Sequence, residues 1–187
     1  HLNLKGAVNQ SNSNSAKAKG GENDGSKNYQ LNLNGNKWVS NELKFKSTFY
    51  YRDTKTDYDK SDTQEESVTS DNKMYAFQTG FERVTQNSDE NIILHYHNYD
   101  RQYENSGYLD EYYSESLVVR GESKTKFSEK ISFGLGSEYK YDWGSFENRG
   151  SYTASTKGHM SNLGIFANIG YKLNESSILS VYGRSDD

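Results

Sequence analysis

The sequence of 187 residues contains no cysteine and no proline. The absence of cysteine excludes disulfide frameworks, zinc–thiolate sites and thiol nucleophiles. No run approaches the ~20 apolar residues that a membrane-spanning helix needs. Only 32% of the residues are hydrophobic, which is a poor supply for a core on both faces of a sheet. The formal net charge of −4 argues against nucleic-acid binding, which requires clustered Lys and Arg.

What the chain does contain is an abundance of tyrosine, with 16 copies, and a hydrophobic pattern of period two. Alternation of apolar and polar residues is typical of β-strands with one apolar face. The clearest runs cover residues 131–143 and 163–173. Further runs lie near residues 2–8, 29–33, 43–51, 75–81, 92–96, 113–119 and 179–183. The pattern therefore predicts about nine strands and no helix.

The segments between these runs alternate in length. Long polar segments lie near residues 9–27, 52–72, 100–111 and 144–160, and short ones near 36–42, 85–91, 122–129 and 174–177. In an up-and-down meander this sorts all long loops to one end, as in outer-membrane barrels. We therefore predict an all-β fold: an antiparallel up-and-down meander of about nine long strands that is part of a larger transmembrane β-barrel.

The lengths of the runs and the positions of the aromatic residues support this prediction. Runs of 13–14 residues reach the ~9–11 that a membrane-crossing strand needs. Tyr and Trp prefer both membrane interfaces, so two girdles are expected. The aromatic residues predicted for the girdle at the long-loop end are Tyr29, Tyr50, Tyr51, Tyr75, Tyr99, Tyr112, Tyr113, Tyr139, Tyr141 and Trp143. The aromatic residues predicted for the girdle at the short-turn end are Trp38, Phe127 and Tyr171. The alternative is ordinary aromatic pairing in a soluble sheet.

We expect residues 1–187 to be the middle strands of such a barrel. Single-chain bacterial barrels normally have an even number of strands, whereas about nine are counted here. On this interpretation a plug domain and the closing strands lie outside the sequence.

Two segments near the end of the chain carry a family resemblance. Residues 162–166 read Asn-Leu-Gly-Ile-Phe, and residues 180–187 read Ser-Val-Tyr-Gly-Arg-Ser-Asp-Asp. This order resembles mid-barrel strands of TonB-dependent outer-membrane receptors, and is most similar to the vitamin B12 (cobalamin) transporter branch. Residues 133–139 resemble the preceding strand of that family.

The resemblance implies a 22-stranded barrel, filled by a plug domain, in the outer membrane of a Gram-negative bacterium. Its partners would be outer-membrane lipid, a large scarce nutrient such as cobalamin or a siderophore–metal chelate, and TonB, which acts through the plug. Two alternatives from other classes stay open: a passive porin or small outer-membrane barrel, and a soluble β-sandwich or lipocalin-like binding protein.

One acidic segment is a candidate calcium site. Asp57, Asp59 and Asp62 lie close together after Tyr51. Ca²⁺ takes several oxygen ligands and offsets the repulsion between carboxylates. Calcium orders extracellular loops in cobalamin receptors, so the resemblance to that family implies the same role for this segment. The segment lacks the spacing of an EF-hand, so a solvated acidic loop is the alternative.

Tyr103 and Tyr108 are the candidate substrate contacts, because tyrosine provides large contact area at low entropic cost. His95 and His97 alternate on one strand, where we expect them to face the lumen rather than bind metal. Gly134 and Gly136 are expected to relieve crowding on the same inner face or to permit curvature of the strand. No nucleophile–base pair and no Gly-x-Ser-x-Gly motif occurs, so we predict no catalytic residues and no enzyme activity.

Overall fold

The computed structural model describes residues 1–14, 23–59, 67–105, 107–150 and 152–187. These residues form nine β-strands. The strands are β1 (Leu2–Asn14), β2 (Asn23–Trp38), β3 (Leu43–Asp59), β4 (Ser67–Val84), β5 (Ser88–Asn105), β6 (Tyr108–Lys126), β7 (Ile131–Arg149), β8 (Ala154–Asn174) and β9 (Ser177–Asp186). Within the described ranges, no helix is long and apolar enough to cross a bilayer.

The nine strands form one antiparallel sheet in the order in which they occur in the sequence. Each strand of the described chain contacts only its sequence neighbours, so the sheet is a single layer. This confirms the prediction of a nine-stranded antiparallel meander. It also excludes a two-layer sandwich for this part of the chain, because no second sheet packs on either face.

The prediction of long loops is wrong, because most of the residues assigned to them belong to β-strands. β3 continues to Asp59 and β4 begins at Ser67, while β5 reaches Asn105 and β6 begins at Tyr108. Cross-strand polar contacts hold these extensions, such as the hydrogen bond of 3.1 Å from Thr54 Oγ1 to Asn28 Oδ1. Both faces are polar there, so no hydrophobic alternation reveals the strands in the sequence. We call the strand residues that lie within the expected loops the strand extensions; they are residues 9–14, 23–27, 52–59, 67–72, 100–105, 108–111, 144–149 and 154–160.

The short turns lie where the sequence predicts them, and a side-chain oxygen organises each one. Ser40 Oγ accepts a hydrogen bond of 3.1 Å from the backbone N–H of Leu43, and Ser128 Oγ accepts one of 3.1 Å from Ile131. Thr85 and Asn174 do the same in the other two turns. Ser, Thr and Asn favour tight turns because their side chains replace a backbone acceptor in this way.

One face of the sheet is apolar along its whole width. The register aligns Leu33, Phe49, Phe77, Tyr96 and Leu117 in one row across five strands. No residue that the structure describes covers this face: Ile165 and Ile169 are each 55% exposed. Val68 and Phe166 are the buried hydrophobic residues of the described chain, so the sheet has no interior core. The apolar face therefore needs an apolar medium outside the sheet.

Successive hairpins are offset along the strands by a constant amount. A line through paired residues from Leu43, where β3 begins, reaches Glu90 in β5, Leu135 in β7 and Gly183 in β9. These residues lie two, four and six positions into strands that begin at residues 88, 131 and 177. With ~3.3 Å per residue and ~4.8 Å between strands, one residue per strand corresponds to a tilt of about 35°. Closed barrels have this tilt.

Candidate functional site

Aromatic side chains mark where the apolar face ends, towards the strand extensions. Tyr75 and Tyr96 lie with ring centroids 5.9 Å apart, and Tyr113 meets Trp143 edge-on at 5.1 Å. Tyr75, Tyr113 and Trp143 belong to the aromatic girdle predicted from the sequence, and the structure adds Tyr96. Such a belt is typical of the level at which apolar and aqueous surroundings meet.

Beyond the girdle, the same face carries charged pairs. Arg149 lies 3.0 Å from Glu111 and 2.9 Å from Glu147. The hydrogen bond from Arg149 holds the pKa of the Glu147 carboxyl below its usual value. Arg149 is 56% exposed, and a charged group this exposed would lose its hydration at a large free-energy cost in hydrocarbon. The strand extensions therefore stand in water on both faces.

The opposite, polar face of the extensions carries a group of aromatic residues around one arginine. Tyr112 and Phe146 have ring centroids 4.7 Å apart, and the Arg101 guanidinium lies 5.8 Å from the Tyr112 ring. Tyr99 donates a hydrogen bond of 2.9 Å to Asn72 Oδ1, which fixes its ring nearby. We call Tyr99, Arg101, Tyr112 and Phe146 the aromatic patch.

A shallow recess of about 500 Å³ lies beside the aromatic patch. Its floor is a row of three small residues on adjacent strands, because Ser114 pairs with Gly144 and Gly144 pairs with Gly158. A Cβ atom on Gly158 would meet no atom within 4 Å, so the space above it is open. Flat rings beside a small-residue floor form a surface on which a large planar ligand could stack.

The predicted substrate residues, Tyr103 and Tyr108, lie on this same polar face. Tyr103 follows Arg101 by two residues in β5, so the two side chains share a face. Tyr108 pairs with Asn105, which lies four residues after Arg101 and therefore on the same face. Both therefore continue the aromatic patch towards the hairpin tip.

Three tyrosines that the sequence analysis assigned to the girdle lie on the other face. Tyr99 and Tyr112 belong to the aromatic patch, and Tyr50 pairs with Asn32 on the polar side. Strand parity is the signal that could have separated them, because Tyr99 is an odd number of residues from Tyr96. Nothing in the sequence indicates that Arg101 and Phe146 belong to the aromatic patch, because only the strand register places both of them beside Tyr112.

The three candidate calcium ligands are only partly within the described chain. Asp57 lies in β3, rather than in a loop, and its Oδ1 accepts a hydrogen bond of 2.9 Å from Thr69 Oγ1. Asp59 is the last residue of β3, and Asp62 lies outside the described residues. Among the side chains that the structure describes, no group of three or more His, Cys, Asp or Glu could hold a metal ion.

His95 and His97 lie on the polar face, as expected, with ring centroids 5.7 Å apart. They pair with Val118 and Ser116 of β6, which offer no further metal ligand.

Below the girdle, at the level of the apolar band, the polar face carries a charged cluster around one phenylalanine. Glu138 bridges two arginines, at 3.4 Å from Arg120 and 3.0 Å from Arg184. Arg184, from the Arg-Ser-Asp-Asp segment, also lies 2.7 Å from Asp186. The Phe166 ring is only 8% exposed and lies 4.7 Å from the Arg120 guanidinium. This arrangement combines ion pairs with cation–π contacts.

Glycines on the polar face lie where a side chain would not fit, which agrees with the first of the two roles expected for Gly134 and Gly136, the relief of crowding. A Cβ atom on Gly136 would lie 2.3 Å from Phe166 Cζ, and one on Gly134 would lie 1.9 Å from Asn168 Oδ1. A Cβ atom on Gly164 would likewise lie 2.5 Å from Asp186 Oδ1. The inner wall is crowded, in contrast to the uncovered apolar face.

No protein-family profile matches the chain, and no curated protein sequence matches it. Solved structures do. The chain is similar to the RagAB peptide transporter, with a TM-score of 0.73 and 9% identity over 99% of this chain and 30% of that one. It is similar to the outer membrane transporter YddB from Escherichia coli, with a TM-score of 0.70 and 11% identity over 100% of this chain and 32% of that one.

A third similar structure is the ferric yersiniabactin uptake receptor FyuA from Yersinia pestis, with a TM-score of 0.62 and 11% identity over 98% of this chain and 34% of that one. The chain spans about a third of the length of these three structures. At such low identity the likeness shows the fold, which is that of a stretch of outer-membrane barrel wall. The predicted fold class is therefore confirmed.

Proposed function

We propose that these residues form part of the wall of an energised outer-membrane receptor that takes up a large, scarce nutrient in a Gram-negative bacterium. The observation that carries the barrel wall is the single-layered sheet with one uncovered apolar face and one polar face, and the likeness in fold to the transporter YddB and the receptor FyuA supports uptake rather than passive passage. In hydrocarbon a sheet must close on itself, because each unpaired backbone group costs several kcal/mol. The open edges at β1 and β9 then pair with further strands of the same barrel.

The nutrient class in this proposal is cobalamin or a siderophore–metal chelate. The resemblance of residues 162–187 to cobalamin transporters supports the first, and the likeness in fold to a ferric yersiniabactin receptor supports the second. The aromatic patch and recess supply the contact surface for such a ligand, with Tyr103 and Tyr108 at its upper margin. In this proposal the inner wall encloses a plug domain, through which TonB supplies energy.

Uptake by the full-length protein tests the proposal. Cells that lack the native gene and express the receptor are given labelled cyanocobalamin or ferric siderophores, with and without TonB. We expect uptake of one of these classes that disappears without TonB. TonB-independent passage, together with ion conductance across planar bilayers, would instead support the passive porin.

Substitutions test the proposed contact surface separately. Tyr103→Ala and Tyr108→Ala should each weaken ligand binding about three- to tenfold, the effect of losing one aromatic contact. Tyr139→Ala is the matched control, because Tyr139 aligns with Leu163 on the apolar face. Equal loss of binding in all three variants would remove both tyrosines from the site.

A further inference from the structure

A groove of about 620 Å³ interrupts the apolar face. Small residues form its floor, and larger apolar side chains form its walls. The floor consists of Gly121, Ser123 and Ser137, and the walls of Leu43, Phe81, Ile92, Leu135 and Ile165. We call this the outer groove.

Neither packing nor backbone geometry requires the glycine at the centre of the groove. A Cβ atom on Gly121 would meet no atom within 4 Å. The positive φ of the described glycines occurs at Gly107, not at Gly121. On the polar face, by contrast, Gly136 and Gly164 are forced by neighbours closer than 3 Å. Since glycine weakens a strand, its role at position 121 is the open space that it leaves.

The outer groove runs obliquely from the short-turn end into the apolar band. Arg83 and Glu90 line its lower end, and Arg83 lies one residue before the end of β4. Ile165, at the other end, lies nine residues before Asn174, where β8 ends. The groove thus connects the level of the membrane surface with the hydrocarbon. A phospholipid tail follows the same path from its headgroup.

Charges of both signs lie at the lower end of the groove. The Arg83 guanidinium is half exposed and makes two long contacts, 3.5 Å to Glu42 and 3.4 Å to Glu90. One cation flanked by two carboxylates matches a headgroup that carries a phosphate and a primary ammonium. A headgroup without an ammonium would leave its phosphate beside two carboxylates, and a quaternary ammonium has no N–H to donate.

We propose that the outer groove binds one phospholipid of the ethanolamine type. One acyl chain lies over Gly121, the phosphate contacts Arg83, and the ammonium contacts Glu42 and Glu90. This inference rests on the proposed location in a membrane, but not on the transported nutrient.

Native mass spectrometry of the full-length receptor tests the proposal. The protein is purified in detergent, stripped of lipid and given equal amounts of phosphatidylethanolamine, phosphatidylglycerol and phosphatidylcholine. We expect one phosphatidylethanolamine to be retained preferentially. Gly121→Leu fills the groove and should lower its retention about tenfold. Arg83→Gln should lower it about as much by removing a charge-assisted hydrogen bond.

Ser47→Leu is the matched control, because Ser47 lies between Gly35 and Thr79 on the apolar face but does not line the groove. It should retain the lipid like the wild type. Equal retention of the three lipids, or unchanged retention in Gly121→Leu, would overturn the lipid site while the protein still inserts into membranes. Failure to insert into membranes at all would overturn the membrane location, and the lipid site with it.

Discussion

Adding one methyl group at Gly136 should destabilise the barrel, because the site has no room for it. The new Cβ atom would lie 2.3 Å from Phe166 Cζ and 2.8 Å from the carbonyl oxygen of Gly121. Phe166 is 8% exposed and is held by the guanidinium of Arg120 at 4.7 Å, so it cannot turn away freely. Overpacking of this kind costs about 1–3 kcal/mol of the free energy of unfolding.

The neighbouring glycine provides the matched control. Gly121 lies on the adjacent strand, where Gly136 pairs with the next residue, Glu122. Because a Cβ atom at Gly121 would touch nothing within 4 Å, Gly121→Ala carries no steric cost. It should leave stability unchanged or raise it by about 0.5–1 kcal/mol, since alanine loses less backbone entropy in a strand.

Urea titration of the full-length protein in lipid vesicles, followed by tryptophan fluorescence, measures both effects. A Phe166→Ala background should remove part of the cost of Gly136→Ala, because the ring is one of its two close neighbours. The remaining cost belongs to the clash with the Gly121 carbonyl. Equal changes for Gly136→Ala and Gly121→Ala would refute the assignment of the two glycines to a crowded and an open face.

Three further outcomes are expected from the same protein. Ile169→Arg should lower the free energy of unfolding by about 2–4 kcal/mol, because five residues of tilted strand place Ile169 ~13 Å above the short turns, near mid-membrane. Gln78→Arg, on the polar face, should lower it by under ~1 kcal/mol. Unfolding titrations that rank the two variants equally would contradict the assignment of faces. Ser128→Ala should cost about 0.5–1.5 kcal/mol, since the turn loses the acceptor for the N–H of Ile131, and Ser128→Thr should restore it. If the candidate ligands Asp57, Asp59 and Asp62 bind calcium, millimolar calcium should slow proteolysis between Asp57 and Asp62, and cleavage at an unchanged rate would contradict this sequence-based prediction.

The membrane-level part of the fold could be predicted from the sequence because hydrocarbon imposes a one-sided pattern. In residues 131–143 and 163–173, apolar side chains recur at every second position except at Ser137, and both segments are strands with that face largely exposed. Above the girdle, water contacts both faces and removes the pattern. Residues 52–59 therefore resemble a loop in sequence, although they pair with β4 throughout.

The candidate site was less accessible to sequence reasoning. Tyr103 and Tyr108 could be chosen from their residue type, and strand parity could have added Tyr99 and Tyr112. The recess depends on the alignment of Gly144 with Gly158 across two strands. Such an alignment follows from the register of the strand extensions, which no local residue pattern specifies.

The constant stagger of the hairpins has an evolutionary consequence. Each pair of strands advances the register by two residues, so every hairpin repeats the same geometric step. Duplication or loss of one hairpin would widen or narrow the circumference while the remaining strands keep their inclination. The hairpin is thus a modular unit, from which pores of different bore can be assembled by recombination.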